Sequence, residues 1–171
     1  MGYSGFSKMT DISSTVDTHY IVLLQQMRNA PERLAAIARD LPKAAHTWQS
    51  GPETWSISNV VAHLASTHRP FMQRLHRVLT EENPTVVSFG PEVARPEFEV
   101  DLDILIENFR AGREEFLDFL SGIEPADWNR PAIHEKTGPT AIELQVKDII
   151  QHDSVHIDQA EIIVARWGTI K

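Results

Sequence analysis

The sequence predicts an all-α protein, a four-helix bundle with a long connection between the second and third helices. Four long segments repeat apolar residues every three or four positions, which is the period of a helix that buries one face. Prolines and glycines collect between these segments. No segment shows the sustained alternation of a convincing β-strand. A bundle is the architecture that buries four such apolar stripes against one another.

The first helix is predicted over about residues 14–41. Pro31 lies inside it and predicts a kink or a break, because proline cannot donate a backbone hydrogen bond. Pro42 follows the predicted end. Residues 1–13 have no basic stretch followed by an apolar one, and they are interpreted as a flexible leader. The remaining chain, 14–171, is long enough for one core and is predicted to form a single domain.

The second helix is predicted over about residues 57–79. Ser56 can cap its first turn, and Trp55 before the cap can pack on Val60 as a hydrophobic staple. Pro70 lies inside and should bend the helix. The sequence therefore predicts the first residue of this helix, but not the direction that its axis takes after Pro70.

A Pro- and Gly-punctuated connection follows over residues 81–100. Connections of this length are uncommon unless they are functional or cross the fold. The best strand candidate of the whole chain, residues 85–89, lies in this segment.

The third helix is predicted over about residues 102–121, with Asp101 as its cap. Gly122 stands where a left-handed residue often ends a helix, and Pro125 follows it.

The fourth helix is predicted over about residues 141–167. Thr140 and Glu143 have the spacing of a capping box, and Gly168 is expected to end the helix.

Composition excludes several functions. The chain has 16 basic and 24 acidic side chains, a net charge of −8, so nucleic-acid binding is not expected. It has no cysteine, which excludes disulfides, a cysteine nucleophile and thiolate metal ligands. Its apolar runs reach about five residues, far short of the roughly 20 that span a membrane. A cytoplasmic location fits these features.

Two of the eight histidines, His152 and His156, lie four residues apart on the fourth helix. This spacing places both imidazoles on one face, about one turn apart. Apolar residues flank that face, and two buried imidazoles there are costly unless they are bonded or bind a ligand. A divalent metal would satisfy both. A hydrogen-bonded or solvated pair is the alternative.

His63 is the candidate third ligand, because it lies at the edge of the apolar stripe of the second helix. If the second and fourth helices are neighbours, His63 can meet the other two imidazoles. Three imidazoles would leave an open coordination position, the pattern of catalytic metal sites. A hydrogen-bonded core histidine is the alternative.

Three further residues are placed near the same faces. Asp148 lies one turn before His152 and Gln159 three residues after His156, so either could orient an imidazole or touch a ligand. Thr67, one turn after His63, could line a cavity. Solvated polar side chains are the alternative, and no residue stands out as the catalytic acid or base.

Residues 27–167 resemble the DinB/YfiT-like superfamily of metal-binding four-helix bundles. The motifs that carry the likeness are "TWSISNVVAHL" and the later "HDSVHIDQ". The resemblance implies a divalent metal, zinc or nickel, held by His63, His152 and His156. It implies that relatives include thiol-dependent S-transferases and an isomerase that uses a low-molecular-weight thiol, and that many form dimers. Many relatives carry acidic residues where this chain has Asn59 and Thr67 or His68, which loosens any transfer of activity.

The sequence therefore predicts a metal-dependent enzyme that activates a thiol or water, of the thiol S-transferase or hydrolase type. A low-molecular-weight thiol is a possible cosubstrate, a small molecule the substrate, and a homodimer the expected assembly. The alternatives are a non-catalytic protein that binds a small ligand and a purely structural bundle.

Overall fold

The computed structural model describes residues 10–88 and 100–169 of the chain. It contains five α-helices, which are α1 (Thr10–Ala38), α2 (Lys43–His46), α3 (Ile57–Thr80), α4 (Leu102–Ser121) and α5 (Ile142–Thr169). The one-turn α2 aside, these are the four predicted helices. The predicted all-α four-helix bundle, with its long connection between α3 and α4, is confirmed.

The four long helices form a ring in which each contacts two others. Helix α1 packs on α4 and α5, and α3 packs on the same two helices. Helices α3 and α5, which carry the candidate ligands, are therefore neighbours. No helix in the described ranges is both long enough and apolar enough to cross a membrane.

A small three-stranded sheet closes one end of the bundle. Its strands are β1 (Thr85–Val86), β2 (Pro131–His134) and β3 (Gly138–Ala141). Strand β1 runs parallel to β2, and β2 runs antiparallel to β3. A 3-10 helix, Pro125–Asn129, leads from α4 into β2.

The expectation that the chain has no convincing strand is wrong for β2 and β3. The two strands are four residues each and contain Pro131 and Pro139, so neither shows an alternating apolar pattern. What joins them is turn chemistry, since Gly138 closes the three-residue loop with φ +81. Strand β1 coincides with the start of the strand candidate at 85–89, whose last residue lies outside the described ranges.

Local capping explains where α3 and α4 begin. The Ser56 hydroxyl accepts a hydrogen bond from the backbone N–H of Asn59, and the Asn59 side chain accepts one from the backbone N–H of Ser56. The Asp101 carboxylate accepts a hydrogen bond from the backbone N–H of Asp103. Both predicted caps are confirmed, and the Ser56 cap fixes how far His63 stands from the start of α3.

Helix ends account for most of the differences from the sequence expectations. Gly122 is right-handed, with φ −84, because α4 closes by a tight turn in which the Gly122 N–H donates to the carbonyl of Phe119. Thr140 pairs with Ala132 in the sheet and α5 begins only at Ile142, so the predicted capping box at Thr140 is wrong. Helix α5 continues through Gly168 to Thr169.

Helix α1 is longer than predicted at its start. It begins at Thr10, inside the segment taken as a leader, and residues 1–9 of that segment lie outside the described ranges. The predicted break at Pro31 is wrong, because α1 continues through this residue to Ala38. Pro31 is buried in the bundle, where packing offsets the one missing hydrogen bond. Helix α3 likewise continues through Pro70.

The apolar core divides into two clusters along the bundle axis. Each of α3, α4 and α5 contributes to both, through the pairs Phe71 and Leu64, Phe116 and Phe109, and Ile149 and Ile157. Between the members of each pair lies a buried residue that can carry a charge, His68 on α3, Arg113 on α4 and Asp153 on α5. We call these three residues the polar layer.

Gly112 of α4 packs directly against the His68 ring of the polar layer. Replacement of Gly112 by alanine is expected to destabilise the protein. A Cβ there would overlap Nδ1 of His68 and approach two of its ring carbons to 3.1 Å. Alanine is normally favoured over glycine inside a helix by up to about 1 kcal/mol. Overpacking a buried site costs about 1–3 kcal/mol, so the net change in the free energy of unfolding is a loss.

Gly168→Ala is the matched control, because a Cβ at this position of α5 meets nothing within 4 Å. Urea denaturation of both variants should show Gly112→Ala less stable than the parent and Gly168→Ala equal or more stable. Two gains of similar size would contradict the packing argument.

Candidate metal centre

Three imidazoles meet where α3 faces α5. Nε2 of His63 lies 2.9 Å from Nε2 of His152. The His156 ring centroid lies 4.5 Å from that of His63 and 4.6 Å from that of His152. One ring nitrogen from each of the three residues lies within 4.8 Å of those of the other two. The structure thus brings together the three histidines that the sequence singled out as metal ligands.

Their hydrogen bonds indicate which nitrogen of each ring faces the centre. Nδ1 of His156 lies 2.8 Å from Oε1 of Gln159. Because an amide oxygen only accepts, Nδ1 carries the proton and Nε2 is left with a lone pair. Nε2 is also the atom through which His63 and His152 approach each other, so the ring atoms that can share one ligand are the three Nε2 nitrogens.

Burial keeps these imidazoles in the form that binds metals. Burial, together with the charges of the neighbouring His156 and His152, lowers the pKa of His63 to about 4. Burial also lowers the pKa of His156. A ligand must be deprotonated to bind a cation, so both rings are available at neutral pH.

The geometry fits a divalent cation. Two nitrogens bound at 2.0–2.1 Å to one tetrahedral ion are about 3.3 Å apart. The Nε2 atoms of His63 and His152 stand 2.9 Å apart, so a few tenths of an ångström of side-chain movement is enough. The cluster contains imidazoles and, within the described part of the chain, no carboxylate. Imidazole donors suit zinc, nickel and other first-row metals.

Aromatic side chains wall the site. The Trp55 ring stacks on His156 at 5.7 Å and 8°, and it meets the edge of His63 at 5.2 Å. Phe71 approaches His152 at 6.1 Å. Trp55 also packs on the core cluster that contains Val60, as the predicted staple requires. The sequence did not indicate that the same indole covers two of the imidazoles.

Of the other three predicted site residues, one contacts a site imidazole and two have other partners. Gln159 contacts His156, as described. Thr67 is buried, and its hydroxyl donates to the backbone carbonyl of Leu64. Asp148 is exposed, and its charge acts on Arg74 of α3. The structure therefore gives Thr67 and Asp148 other partners than the three imidazoles.

Sequence reasoning missed an ion pair directly behind the site. Nη2 of Arg113 donates to Oδ2 of Asp153 at 2.6 Å, and the two side chains are only 1% and 4% exposed. The other carboxylate oxygen of Asp153, Oδ1, lies 3.9 Å from Nδ1 of His152. A signal existed, because Asp153 stands midway between Ile149 and Ile157 on the buried stripe of α5.

His68 of the polar layer is expected to make the protein less stable in acid. Its ring stacks on Phe109, and neither ring nitrogen has a hydrogen-bond partner of good geometry among the described residues. Burial, with the charge of Arg113, lowers the pKa of His68 to about 3, against a small opposing effect from the backbone of Ala65. The ring is therefore neutral in the folded protein at any ordinary pH.

Because this folded-state pKa lies below the unfolded value of 6.5, stability is complete above pH 6.5 and is lost as the pH falls toward 3. His68 alone is expected to lower the free energy of unfolding by about 2 kcal/mol between pH 7 and pH 5. Urea denaturation of metal-free protein at both pH values measures it. The pKa values of His63 and His156 are also lowered, so these residues add to the loss of stability. The part of the loss that is absent in His68→Phe is the contribution of His68. An unchanged loss in that variant would contradict the assignment.

Comparison with known proteins identifies the family. Residues 26–160 match the family model of the DinB superfamily. The chain belongs to the DinB superfamily. The sequence resemblance to DinB and YfiT-like proteins is thereby confirmed.

Two curated relatives and one solved structure are similar to this DinB protein. It is 22% identical over 135 residues to a "Putative metal-dependent hydrolase" of Bacillus mycoides strain KBAB4, covering 78% of each chain. It is 22% identical over 146 residues to a protein of the same name from Oceanobacillus iheyensis, covering 83% of each. Among solved structures it is similar to YfiT from Bacillus subtilis, described as "a probable metal-dependent hydrolase with an unusual four-helix bundle topology". That match has a TM-score of 0.74 at 18% identity and covers 98% of this chain and 93% of YfiT, which shows the shared fold.

Proposed function

We propose that this DinB protein is a metal-dependent hydrolase of a small molecule, with a divalent cation held by His63, His152 and His156. The observation that carries the proposal is the convergence of three half-buried imidazoles, each beside the buried apolar stripe of its helix. Leaving three such rings together without a ligand is costly. The names of the relatives support hydrolysis as the reaction class.

Three protein ligands are typical of catalytic sites, where a further position is open to water or substrate. A zinc or nickel ion bound there would act as a Lewis acid and lower the pKa of a water molecule, supplying a nucleophile at neutral pH. The chain's own contribution is to hold its ligands ready. Gln159 fixes the ring of His156 through Nδ1, and Trp55 excludes water from one side of the pair His63 and His156.

A thiol could occupy the same coordination position in place of water. The sequence resemblance implies this thiol S-transferase reaction, in which the thiol is transferred to an electrophile. A bound cation lowers the pKa of a coordinated thiol by the same electrostatic effect. The chain itself has no cysteine, so such a thiol would have to be a separate cosubstrate. Adding a low-molecular-weight thiol to the assay separates the two versions.

The test begins with elemental analysis of protein purified without a histidine tag. About one zinc or nickel ion per chain is expected. The protein is then stripped with a chelator, reloaded, and assayed on a panel of esters, amides and lactones with and without the thiol. Turnover that requires the metal and not the thiol supports the hydrolase. Turnover that requires both supports the transferase. Metal-free chains, or equal rates before and after stripping, would overturn the proposal.

The identity of the metal, a homodimeric assembly and a cytoplasmic location stay predictions of the sequence. Native mass spectrometry of the freshly purified protein measures the first two together, because it gives the mass of the assembly and of any bound ion.

A further inference from the structure

We infer that Asp153 and Arg113 are positioning residues for the metal centre, in which the Asp153 carboxylate accepts a hydrogen bond from Nδ1 of His152 and Arg113 holds that carboxylate in place. The inference rests on the proposed metal function and extends it to two residues on the far side of the ligand. It concerns how one imidazole is aimed, and not a group that touches substrate.

The first step is the protonation of His152. Its Nε2 lies 2.9 Å from Nε2 of His63, on the side where the three rings meet. If Nε2 gives its lone pair to a cation, the ring proton must be on Nδ1. Nδ1 of His152 is buried and has no hydrogen-bond partner in the described part of the chain. A buried N–H without an acceptor is unfavourable, so this atom needs one.

The second step is the acceptor. Oδ1 of Asp153 lies 3.9 Å from Nδ1 of His152, and it too is buried without a partner among the described residues. This distance is about 1 Å longer than a hydrogen bond, which a small side-chain rotation can close. Because the donor and the acceptor are near each other and both lack a partner among the described residues, closing the gap satisfies both. A carboxylate behind a ligand histidine fixes its ring and raises its basicity.

The third step is the anchor of the carboxylate. Arg113 binds only Oδ2 of Asp153, at 2.6 Å, and so leaves Oδ1 for the histidine. The guanidinium lies over the Phe109 ring at 5.1 Å, which fixes its own position. A well-packed apolar pair would stabilise the core as well as this buried ion pair does, or better. The ion pair is therefore better explained by the direction it gives to Oδ1 than by stability.

The arrangement repeats the one already seen at His156. There Oε1 of Gln159 accepts from Nδ1 and leaves Nε2 for the centre. The stretch from His152 to Gln159 would thus supply two ligands and an acceptor for each of them. Asp153 is the residue after His152, and Gln159 lies three residues after His156. Both acceptors therefore belong to α5 and move with it.

The test compares two double variants that differ at one position. Arg113→Met with Asp153→Leu removes the acceptor without leaving a buried charge, and Arg113→Met with Asp153→Asn restores an amide oxygen at the same place. The dissociation constant for Zn²⁺ is measured by competition with a chromophoric chelator. The leucine variant is expected to bind Zn²⁺ about 10- to 100-fold more weakly than the parent. The asparagine variant should recover much of that loss.

Thermal denaturation of the metal-free variants is the accompanying measurement. Replacing the whole ion pair should leave the melting temperature unchanged or higher, so weaker binding cannot be ascribed to unfolding. A leucine variant that binds Zn²⁺ as tightly as the parent would overturn the positioning role while leaving the metal site intact. A parent that binds neither Zn²⁺ nor Ni²⁺ would overturn the proposed function itself.

A second measurement uses the unmodified chain and does not depend on the folding of any variant. With ¹⁵N-labelled histidine and bound Zn²⁺, His152 should coordinate through Nε2 and show an Nδ1–H proton protected from solvent exchange. Coordination of His152 through Nδ1, or an Nδ1–H that exchanges freely, would overturn the inference.

Discussion

Replacing Arg113 with alanine is expected to lower the free energy of unfolding by about 3–5 kcal/mol. The side chain is 1% exposed and its only charge partner among the described residues is Asp153. Without the guanidinium, the carboxylate stays buried with no compensating charge, and a cavity opens beside Phe109. Natural domains have about 5–15 kcal/mol of stability in total, so this loss is a large fraction of it. Chemical denaturation of metal-free protein at pH 7 measures the change.

Arg110→Ala is the matched control on the same helix. Arg110 pairs with Glu32 at 2.7 Å, but Glu32 is 62% exposed, and such surface pairs contribute about 1 kcal/mol or less. Equal losses in the two arginine variants would show that burial does not set the energy of the Arg113 pair.

Replacing His63 with alanine is expected to weaken Zn²⁺ binding by more than about 100-fold, the upper range for residues that only support a ligand. In the proposed site His63 is the one ligand from α3, so its loss would leave two donors, both from α5. The hydrolytic activity proposed for the site should fall to the rate of the metal-free protein. Titration of stripped protein with Zn²⁺ measures the affinity.

Thermal stability gives a second readout of the same change. A ligand at 100 times its dissociation constant stabilises the folded state by about 2.7 kcal/mol. The parent should gain this stability on adding Zn²⁺ at that concentration, and His63→Ala should gain at most about 0.4 kcal/mol. His76→Ala, an exposed histidine on the same helix, should behave as the parent does. If His63→Ala still gained the full stabilisation, His63 would not be a ligand.

Local patterns were enough to predict the helices and the placement of two of the three imidazoles on one face. The period of the apolar residues and the caps at Ser56 and Asp101 are properties of the chain within one or two turns. The same holds for His152 and His156, which any helix places on one face. His63 required one further fact, that α3 and α5 are neighbours, and the motif resemblance supplied an indication of it.

The features that sequence reasoning missed are set by tertiary contacts. Strand β2 exists because it pairs with both β1 and β3, and the prolines of β2 and β3 hide any alternation. Asp148 is a candidate supporting residue in the sequence because it lies one turn before His152, with a solvated side chain as the alternative. Asp153 takes up the position behind His152 instead, since one residue along a helix turns about 100° and points it toward α4. Its value as an acceptor depends on Arg113, which is 40 residues away.

The polar layer also determines how the helices align lengthwise. Two apolar stripes can slide past each other by one helical turn, about 5.4 Å, and still bury their leucines and isoleucines. The same slide of α4 along α5 would carry Arg113 beyond the reach of Asp153 and strand two opposite charges in hydrocarbon. Only one lengthwise setting avoids that. A single pair of charged side chains in the middle of the bundle thus selects the alignment in which the rest of the core is assembled.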